Sequence, residues 1–161
     1  MKKKIIVAAF LCMAGGIANA ASLDNQSSVN ADFTVTGGCS VAGAWTGSTI
    51  PAGQHQSMAQ KVGTLDIKLT GCDSKVYFEG ADKSSDGLPQ ATSPSDVKVV
   101  VMPDFMSVGN TWSKDADLNG FYSVSELTDG NTISANLYNR DAWKAEAGLY
   151  KMTLNIATYS L

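Results

Sequence analysis

The stretch DADLNGFYSVSE (115–126) has the residue types and spacing of a calcium-binding loop, the pattern D-x-D-x-N-G-x5-E. The oxygen ligands would be Asp115, Asp117, Asn119 and Glu126. An EF-hand also needs a helix on each side, and the flanking sequence carries glycine and proline instead. Because FYSVSEL alternates as a strand does, Glu126 would lie away from the turn. We therefore expect a hairpin turn and no metal in this segment.

Cysteine usage indicates a disulfide. The chain has three cysteines, and Cys12 lies in a segment that we expect to be removed. The remaining pair, Cys39 and Cys72, is most simply a disulfide in an exported protein. A metal pair or a redox site would need close spacing such as C-x-x-C, which this pair lacks. Closing a loop of about 33 residues would stabilise the fold by about 3–4 kcal/mol in the chain-entropy model.

Few residues have the setting of a catalytic group. His55 is the single histidine, and we expect it to be a solvated loop residue in the polar stretch PAGQHQSMAQ. The sequence contains no Gly-x-Ser-x-Gly elbow and no Ser-x-x-Lys motif. Its fifteen acidic residues offer many carboxylate pairs for glycoside hydrolysis, and nothing favours one pair over another. We expect no catalysis and no cofactor.

Three tryptophans could form a sugar-binding or receptor-binding face: Trp45, Trp112 and Trp143. The same residues could instead pack in the core or in hairpins, which is the more frequent use of aromatic side chains. No motif in the sequence identifies receptor-binding residues, so both uses stay open.

The first twenty residues have the layout of a secretory signal peptide. Lys2, Lys3 and Lys4 precede a short apolar run over 5–17, and Ala18-Asn19-Ala20 is a small-x-small cleavage site. Cleavage would leave about 140 residues, enough for one domain with its own core. It would also leave nine basic and fifteen acidic residues, a net charge near −6. That charge argues against nucleic acid and anionic membranes as partners.

Alternating apolar residues predict strands through the rest of the chain. The clearest buried positions are Leu65, Ile67, Leu69, Val76 and Phe78. VKVVVM (97–102) is a nearly continuous apolar run ended by Pro103, as in a strand covered on both faces. The last strand, over 149–161, would carry four apolar residues on one face: Tyr150, Met152, Leu154 and Ile156.

Turn signals separate these strands. A polar loop rich in serine, proline and glycine spans 81–96. Asp129-Gly130 predicts a hairpin between GFYSVSEL and NTISANLY, and Asn119-Gly120 predicts a second hairpin. The one helix candidate is NRDAWKAEAG (139–148). Many short strands, with no internal repeat and no sign of a second domain, predict an all-β sandwich or barrel.

The segment SSVNADFTVTGGC (27–39) reads as a strand close to the start of the secreted chain. Polar residues alternate there with an apolar face made of Val29, Ala31, Phe33 and Val35. No segment upstream of it reads as a pairing strand. The segment could be an ordinary first strand of its own sandwich, or it could fill a place in another subunit.

The order of these segments resembles that of chaperone–usher pilins, nearest the Dr-type adhesins and aggregative adherence fimbriae of the long-loop chaperone class. An alternating strand, DFTVTGGC, runs into the first cysteine of the pair, and the second follows a strand in LDIKLTGC. WSKDADLNGFY places a tryptophan before a hairpin, and AGLYKMTLNIATY resembles the family's terminal Gly-x-Tyr strand. IPAGQHQSMAQKVGTLDI is similar to a stretch of an enteric Salmonella fimbrial subunit.

The resemblance implies an incomplete immunoglobulin-like β-sandwich over 38–161, preceded by an N-terminal extension over 21–37. In such pilins the extension is a donor strand that completes the neighbouring subunit by strand addition. The donor residues would be Val29, Ala31, Phe33 and Val35. Gly37-Gly38 would let the chain turn from one domain into the next. The implied partners are copies of the chain in a fibre, a periplasmic chaperone, an outer-membrane usher and a host-cell surface or matrix glycoprotein receptor.

We therefore expect a structural subunit and adhesin of a surface fimbria, secreted through the periplasm and attaching the cell to its host. The alternative is a self-contained secreted β-sandwich that binds carbohydrate or calcium. The two differ in behaviour, because a pilin without its chaperone is unstable or self-associates, whereas a stand-alone module purifies as a stable monomer.

Overall fold

The computed structural model describes residues 38–104 and 110–160, which form eleven strands and, within those ranges, no helix. The strands are β1 (Ser40–Gly47), β2 (Gly53–His55), β3 (Lys61–Thr70), β4 (Lys75–Gly80), β5 (Gln90–Thr92), β6 (Lys98–Pro103), β7 (Trp112–Asp115), β8 (Gly120–Ser123), β9 (Thr132–Asn139), β10 (Trp143–Ala145) and β11 (Leu154–Tyr159). The all-β prediction is confirmed. In these same ranges, no helix is long and apolar enough to cross a membrane.

Two antiparallel sheets enclose the core. One has the strand order β1-β3-β9-β6-β5 and the other β11-β4-β8-β7, while β10 and β2 form a separate two-stranded sheet. The alternation seen in the sequence explains the core, because the predicted residues Leu65, Ile67 and Leu69 of β3 are at most 4% exposed. Val76 and Phe78 of β4 are fully buried, as predicted.

Aromatic side chains fill the part of the core between β4, β7 and β8. Phe78 lies edge-on to Trp112 with ring centroids 4.9 Å apart, and its centroid is 5.4 Å from that of Phe121. The Trp112 indole N–H donates to the Ser134 carbonyl at 3.1 Å, so this buried polar atom has a partner.

The Asn119-Gly120 hairpin is confirmed, because β7 pairs antiparallel with β8. Asp115 lies opposite Gly120 at the turn, and Trp112 lies opposite Ser123 at the other end. The Asp129-Gly130 hairpin is wrong. The strand before it, β8, belongs to the four-stranded sheet, and the strand after it, β9, belongs to the five-stranded sheet. Gly130 has φ +78° as a turn glycine would, but turn chemistry does not determine which strands the turn connects.

The helix predicted over 139–148 is also wrong. This segment contains β10, which pairs antiparallel with β2, so that Trp143 lies opposite His55 and Ala145 lies opposite Gly53. Asn139 is fully buried, and its side-chain amide donates to the carbonyls of Gln56 and Asp141. The bond to Gln56 is a long-range contact that holds the start of the segment in an extended path, and it outweighs the local helix propensity.

Three other features of the strands differ from expectation. The polar loop over 81–96 contains the short strand β5. In β6, Val99 and Val101 are buried while Val100 and Met102 are partly buried, so coverage of the two faces is unequal. The last strand begins at Leu154 rather than at 149, although Lys151 makes an isolated bridge to Thr92.

Candidate functional site

An open apolar groove lies between β1 and β11, and its cavity has a volume of about 590 Å³. Both strands are edge strands: β1 pairs with β3, β11 pairs with β4, and neither has a second partner among the described strands. An unpaired strand edge exposes backbone N–H and C=O groups that can pair with another chain. The groove therefore combines apolar walls with two rows of unpaired backbone groups.

The predicted apolar face of the C-terminal segment forms one wall of the groove. All four predicted residues line it, and each is partly exposed: Tyr150, Met152, Leu154 and Ile156. Leu149 beside them is 68% exposed. Apolar side chains that alternate in this way are normally buried in a sandwich, so within 38–104 and 110–160 this face is left without a covering layer.

Small residues of β1 shape the opposite wall. A Cβ at Gly43 would lie 3.0 Å from Cδ1 of Ile156, so the absence of a side chain lets Ile156 approach the β1 backbone. Sequence reasoning missed this wall, which includes Gly43, Ala44 and Gly47. The run of small residues in VAGAWTG was the available signal, but small residues by themselves do not identify an edge strand.

The three tryptophans divide between two environments. Trp112 is 2% exposed and packs in the core, which is one of the two roles that the sequence left open. Trp45 and Trp143 line the groove, with Trp45 42% exposed. The Trp45 ring covers Gly63, where a Cβ would overlap it. The sequence could not separate these uses, because burial depends on the strand order.

His55 is not the solvated loop residue that we expected. It lies in β2, is partly buried, and its ring centroid is 5.9 Å from that of Trp143. Its Nε2 is 2.8 Å from the Pro51 carbonyl. Trp143 in turn lies edge-on to Tyr150, with centroids 5.1 Å apart. His55 thus packs against Trp143, one of the two tryptophans that line the groove.

Residues 116–119 of the candidate calcium loop form the turn of the β7–β8 hairpin. The carboxylate of Asp115, just before this turn, already accepts hydrogen bonds from protein donors. Its Oδ1 accepts the backbone N–H groups of Leu118 and Asp117 at 2.9 Å, and its Oδ2 accepts the Tyr159 hydroxyl at 2.7 Å. These bonds, that from Leu118 foremost, lower the pKa of Asp115. No cluster of three or more metal-ligating side chains occurs within 38–104 and 110–160.

The predicted disulfide between Cys39 and Cys72 is confirmed, with the two Cα atoms 5.1 Å apart. It joins the residue before β1 to the loop after β3. The donor residues Val29, Ala31, Phe33 and Val35 lie outside the described residues, as does the predicted signal peptide over 1–20.

Comparison with protein families decides the relationship. The model of the SEF14-like adhesins matches residues 2–96, more than half of the chain. The chain belongs to the SEF14-like adhesin family. It is therefore a fimbrial subunit with an adhesive role, located in a fimbrium at the cell surface. The search of curated proteins found no match to this SEF14-like adhesin.

Solved structures similar to this SEF14-like adhesin include an adhesin, a pilus tip subunit and a major fimbrial subunit. The Salmonella SafD adhesin has a TM-score of 0.60 at 10% identity, covering 75% of this chain and 88% of its own. The minor tip subunit HdaB of the E. coli Hda pilus has a TM-score of 0.59 at 11% identity, and the match covers 74% of this chain and 82% of HdaB. Self-complemented MyfA, the major subunit of Yersinia enterocolitica Myf fimbriae, has a TM-score of 0.51 at 20% sequence identity. The match covers 74% of this chain and 85% of MyfA. At such identities the likeness concerns the fold, which is the immunoglobulin-like one.

Proposed function

We propose that this subunit polymerises by donor-strand complementation, in which residues 21–37 of one copy enter the β1–β11 groove of the next. The observation that carries the proposal is the open groove itself, an apolar channel of about 590 Å³ flanked by two edge strands. An extended segment placed there would pair with both strands and close both sheet edges. The organisation is then an extension over 21–37 and a pilin domain over 38–161.

The pattern of the donor segment suits the pattern of the groove. Four apolar residues alternate along the donor (Val29, Ala31, Phe33 and Val35), and four alternate along the wall that includes Leu154. Burying the donor residues would contribute about 5–9 kcal/mol gross, at about 25 cal/mol per Å² of apolar area. Ala31 is the smallest of the four, and it would suit the point where Ile156 approaches the Gly43 backbone.

The same groove supports the proposal that the subunit uses a chaperone and an usher. Before a donor arrives, apolar residues such as Trp45 and Leu149 are exposed to water, and exposed apolar surface next to unpaired strand edges promotes aggregation. A periplasmic chaperone that covers the groove, followed by an outer-membrane usher that exchanges it for a donor, would deliver the subunit to the surface. The predicted signal peptide over 1–20 would supply the entry to the periplasm.

The adhesive role of the family supports attachment of the fibre to a host-cell surface or matrix glycoprotein. With a net charge near −6 after processing, a receptor interaction driven by general positive charge does not fit this subunit. Specific contacts at a defined surface would be required.

Two chain variants test the polymerisation proposal. Deleting 21–36 should give a subunit that accepts a strand but cannot donate one, so that fibres do not grow. Appending residues 21–37 after Leu161 of that deletion variant, through a short flexible linker, should give a stable monomer, here called the self-complemented chain. The readouts are fibre yield by electron microscopy and the subunit ladder on unboiled gels.

Substitutions in the donor provide the matched control. Phe33→Asp should abolish the ladder in the full chain, because it places an unpaired charge in an apolar groove. Thr34→Ser, on the polar face, should leave the ladder unchanged. Polymerisation of the deletion variant, or equal ladders for Phe33→Asp and Thr34→Ser, would refute the proposal.

A further inference from the structure

Asp129 holds the loop after β3 from two sides. Its carboxylate Oδ1 accepts the Gly71 N–H at 2.7 Å, and its own N–H donates to Oδ1 of Asp73 at 2.8 Å. Gly71 and Asp73 are the neighbours of Cys72 in the chain, so Asp129 brackets the disulfide cysteine. The neighbouring backbone bond from Gly130 to the Leu69 carbonyl, at 3.0 Å, attaches the same turn to the end of β3.

The bracketed loop in turn contacts the point where the N-terminal extension joins the domain. Gly71 has φ +88°, and a Cβ there would lie 2.5 Å from the Gly38 carbonyl oxygen. Cys39, the residue after Gly38, is bonded to Cys72. The backbone at Gly38 and Cys39 is therefore fixed by one covalent bond and by one close backbone packing contact.

We propose that Asp129 and Gly71 are positioning residues that set the direction in which the extension leaves the domain, and hence the angle between successive subunits in the fibre. This inference rests on the proposed function, because the extension transmits that angle only if it is inserted into a neighbour. The groove between β1 and β11 contains neither residue. Changes at Asp129 or Gly71 should therefore alter fibre geometry without altering strand acceptance.

Asp129→Ala and Asp129→Asn form the first matched pair. Alanine removes the acceptor of the Gly71 N–H, whereas asparagine keeps an oxygen in the same place. Gly71→Ala and Gly38→Ala form the second pair. A Cβ at Gly71 meets the Gly38 carbonyl in a strained backbone conformation, whereas a Cβ at Gly38 has nothing within 4 Å.

The readouts are the angle between subunits and the persistence length of fibres, measured by cryo-electron microscopy on the full chain expressed with its assembly machinery. Asp129→Ala and Gly71→Ala should broaden the angular distribution and shorten the persistence length, while Asp129→Asn and Gly38→Ala should match wild type. A peptide of residues 21–37, added to each variant in the background lacking 21–36, measures strand acceptance separately.

The possible outcomes separate this inference from the proposed function. Fibres with an altered angle between subunits from Asp129→Ala, together with wild-type peptide binding, would support it. Fibres of wild-type geometry from both Asp129→Ala and Gly71→Ala would overturn it, as would loss of peptide binding in Asp129→Ala, which would make Asp129 a determinant of the fold. Failure of the wild-type subunit to bind the peptide would instead refute donor-strand complementation.

Discussion

Two apolar regions of this domain are built from similar residues and differ in how completely they are covered. Between β4, β7 and β8, Phe78, Trp112 and Phe121 are at most 2% exposed. Between β1 and β11, the tryptophan at position 45 is 42% exposed, and Leu154 and Ile156 are partly exposed. The described residues of the chain complete the first region, whereas the same residues leave the second without a covering layer of side chains.

Under the proposed donor-strand mechanism, this difference predicts where the free energy of assembly would come from. Contacts in the closed core stabilise the single subunit, while residues of the groove would contribute fully only once the proposed donor strand covered them. A substitution in the core should therefore act equally with and without a donor. A substitution in the groove should act mainly in the complemented state.

The largest effect is expected from Phe78→Ala, which would leave a cavity beside two aromatic rings and cost about 3–5 kcal/mol. The measurement is equilibrium denaturant unfolding of the self-complemented chain, repeated on the deletion variant without a donor. Leu154→Ala is the groove control, and its cost should appear in the self-complemented chain and largely disappear without the donor. Equal donor dependence of the two substitutions would contradict the distinction between core and groove.

Replacing both Cys39 and Cys72 with serine should lower the free energy of unfolding by about 2–5 kcal/mol. The bond joins the residue before β1, a groove strand, to the loop after β3, a core strand, so both regions should lose stability. Periplasmic yield should fall in parallel. Reactive thiols in the denatured, unreduced wild-type protein would show that the bond does not form.

A smaller effect is expected at Tyr159, which belongs to β11 but faces away from the groove. Its ring is stacked on Tyr122 with centroids 4.6 Å apart, and its hydroxyl donates to Asp115. That bond raises the pKa of Tyr159 to about 12 and contributes to lowering the pKa of Asp115. Tyr159→Phe should therefore reduce stability at neutral pH while leaving fibre assembly intact.

The pH dependence follows from the direction of each shift. Asp115 contributes stability above its unfolded pKa of about 3.9, and this is lost as the pH falls through its lower folded pKa. Tyr159 contributes stability below its unfolded pKa of about 10, and this is lost as the pH rises to about 12. Melting curves of wild type and Tyr159→Phe should converge at both extremes. A constant difference from pH 2 to pH 12 would contradict the assigned bond.

The smallest expected effect is that of calcium. Since the Asp115 carboxylate accepts three protein donors, a chelator should leave the melting temperature unchanged. A ligand at one hundred times its dissociation constant would add about 2.7 kcal/mol, which a melting curve readily detects. A calcium-dependent rise that Asp115→Ala abolishes would overturn the assignment of a plain turn.

The sequence predicted the features that depend on local pattern. Alternation identified the core residues of β3 and β4 and the groove face from Tyr150 to Ile156, and compartment and spacing identified the disulfide. Prediction from the sequence failed where long-range contacts determine the conformation of a segment or the strands that a turn connects. The Asp129-Gly130 turn crosses between sheets, and the buried amide of Asn139 holds a helix-prone segment in an extended path. The β1 wall was missed because an edge position is a property of strand order.

The central claim is that residues 21–37 of another copy occupy the groove, and amide hydrogen exchange tests it most directly. The subunit lacking 21–36 is measured before and after addition of a peptide of residues 21–37. The account predicts new protection in both β1 and β11, little change in β3 and β9, and no protection with the Phe33→Asp peptide. Unchanged exchange in β1 and β11, or protection confined to other strands, would contradict it.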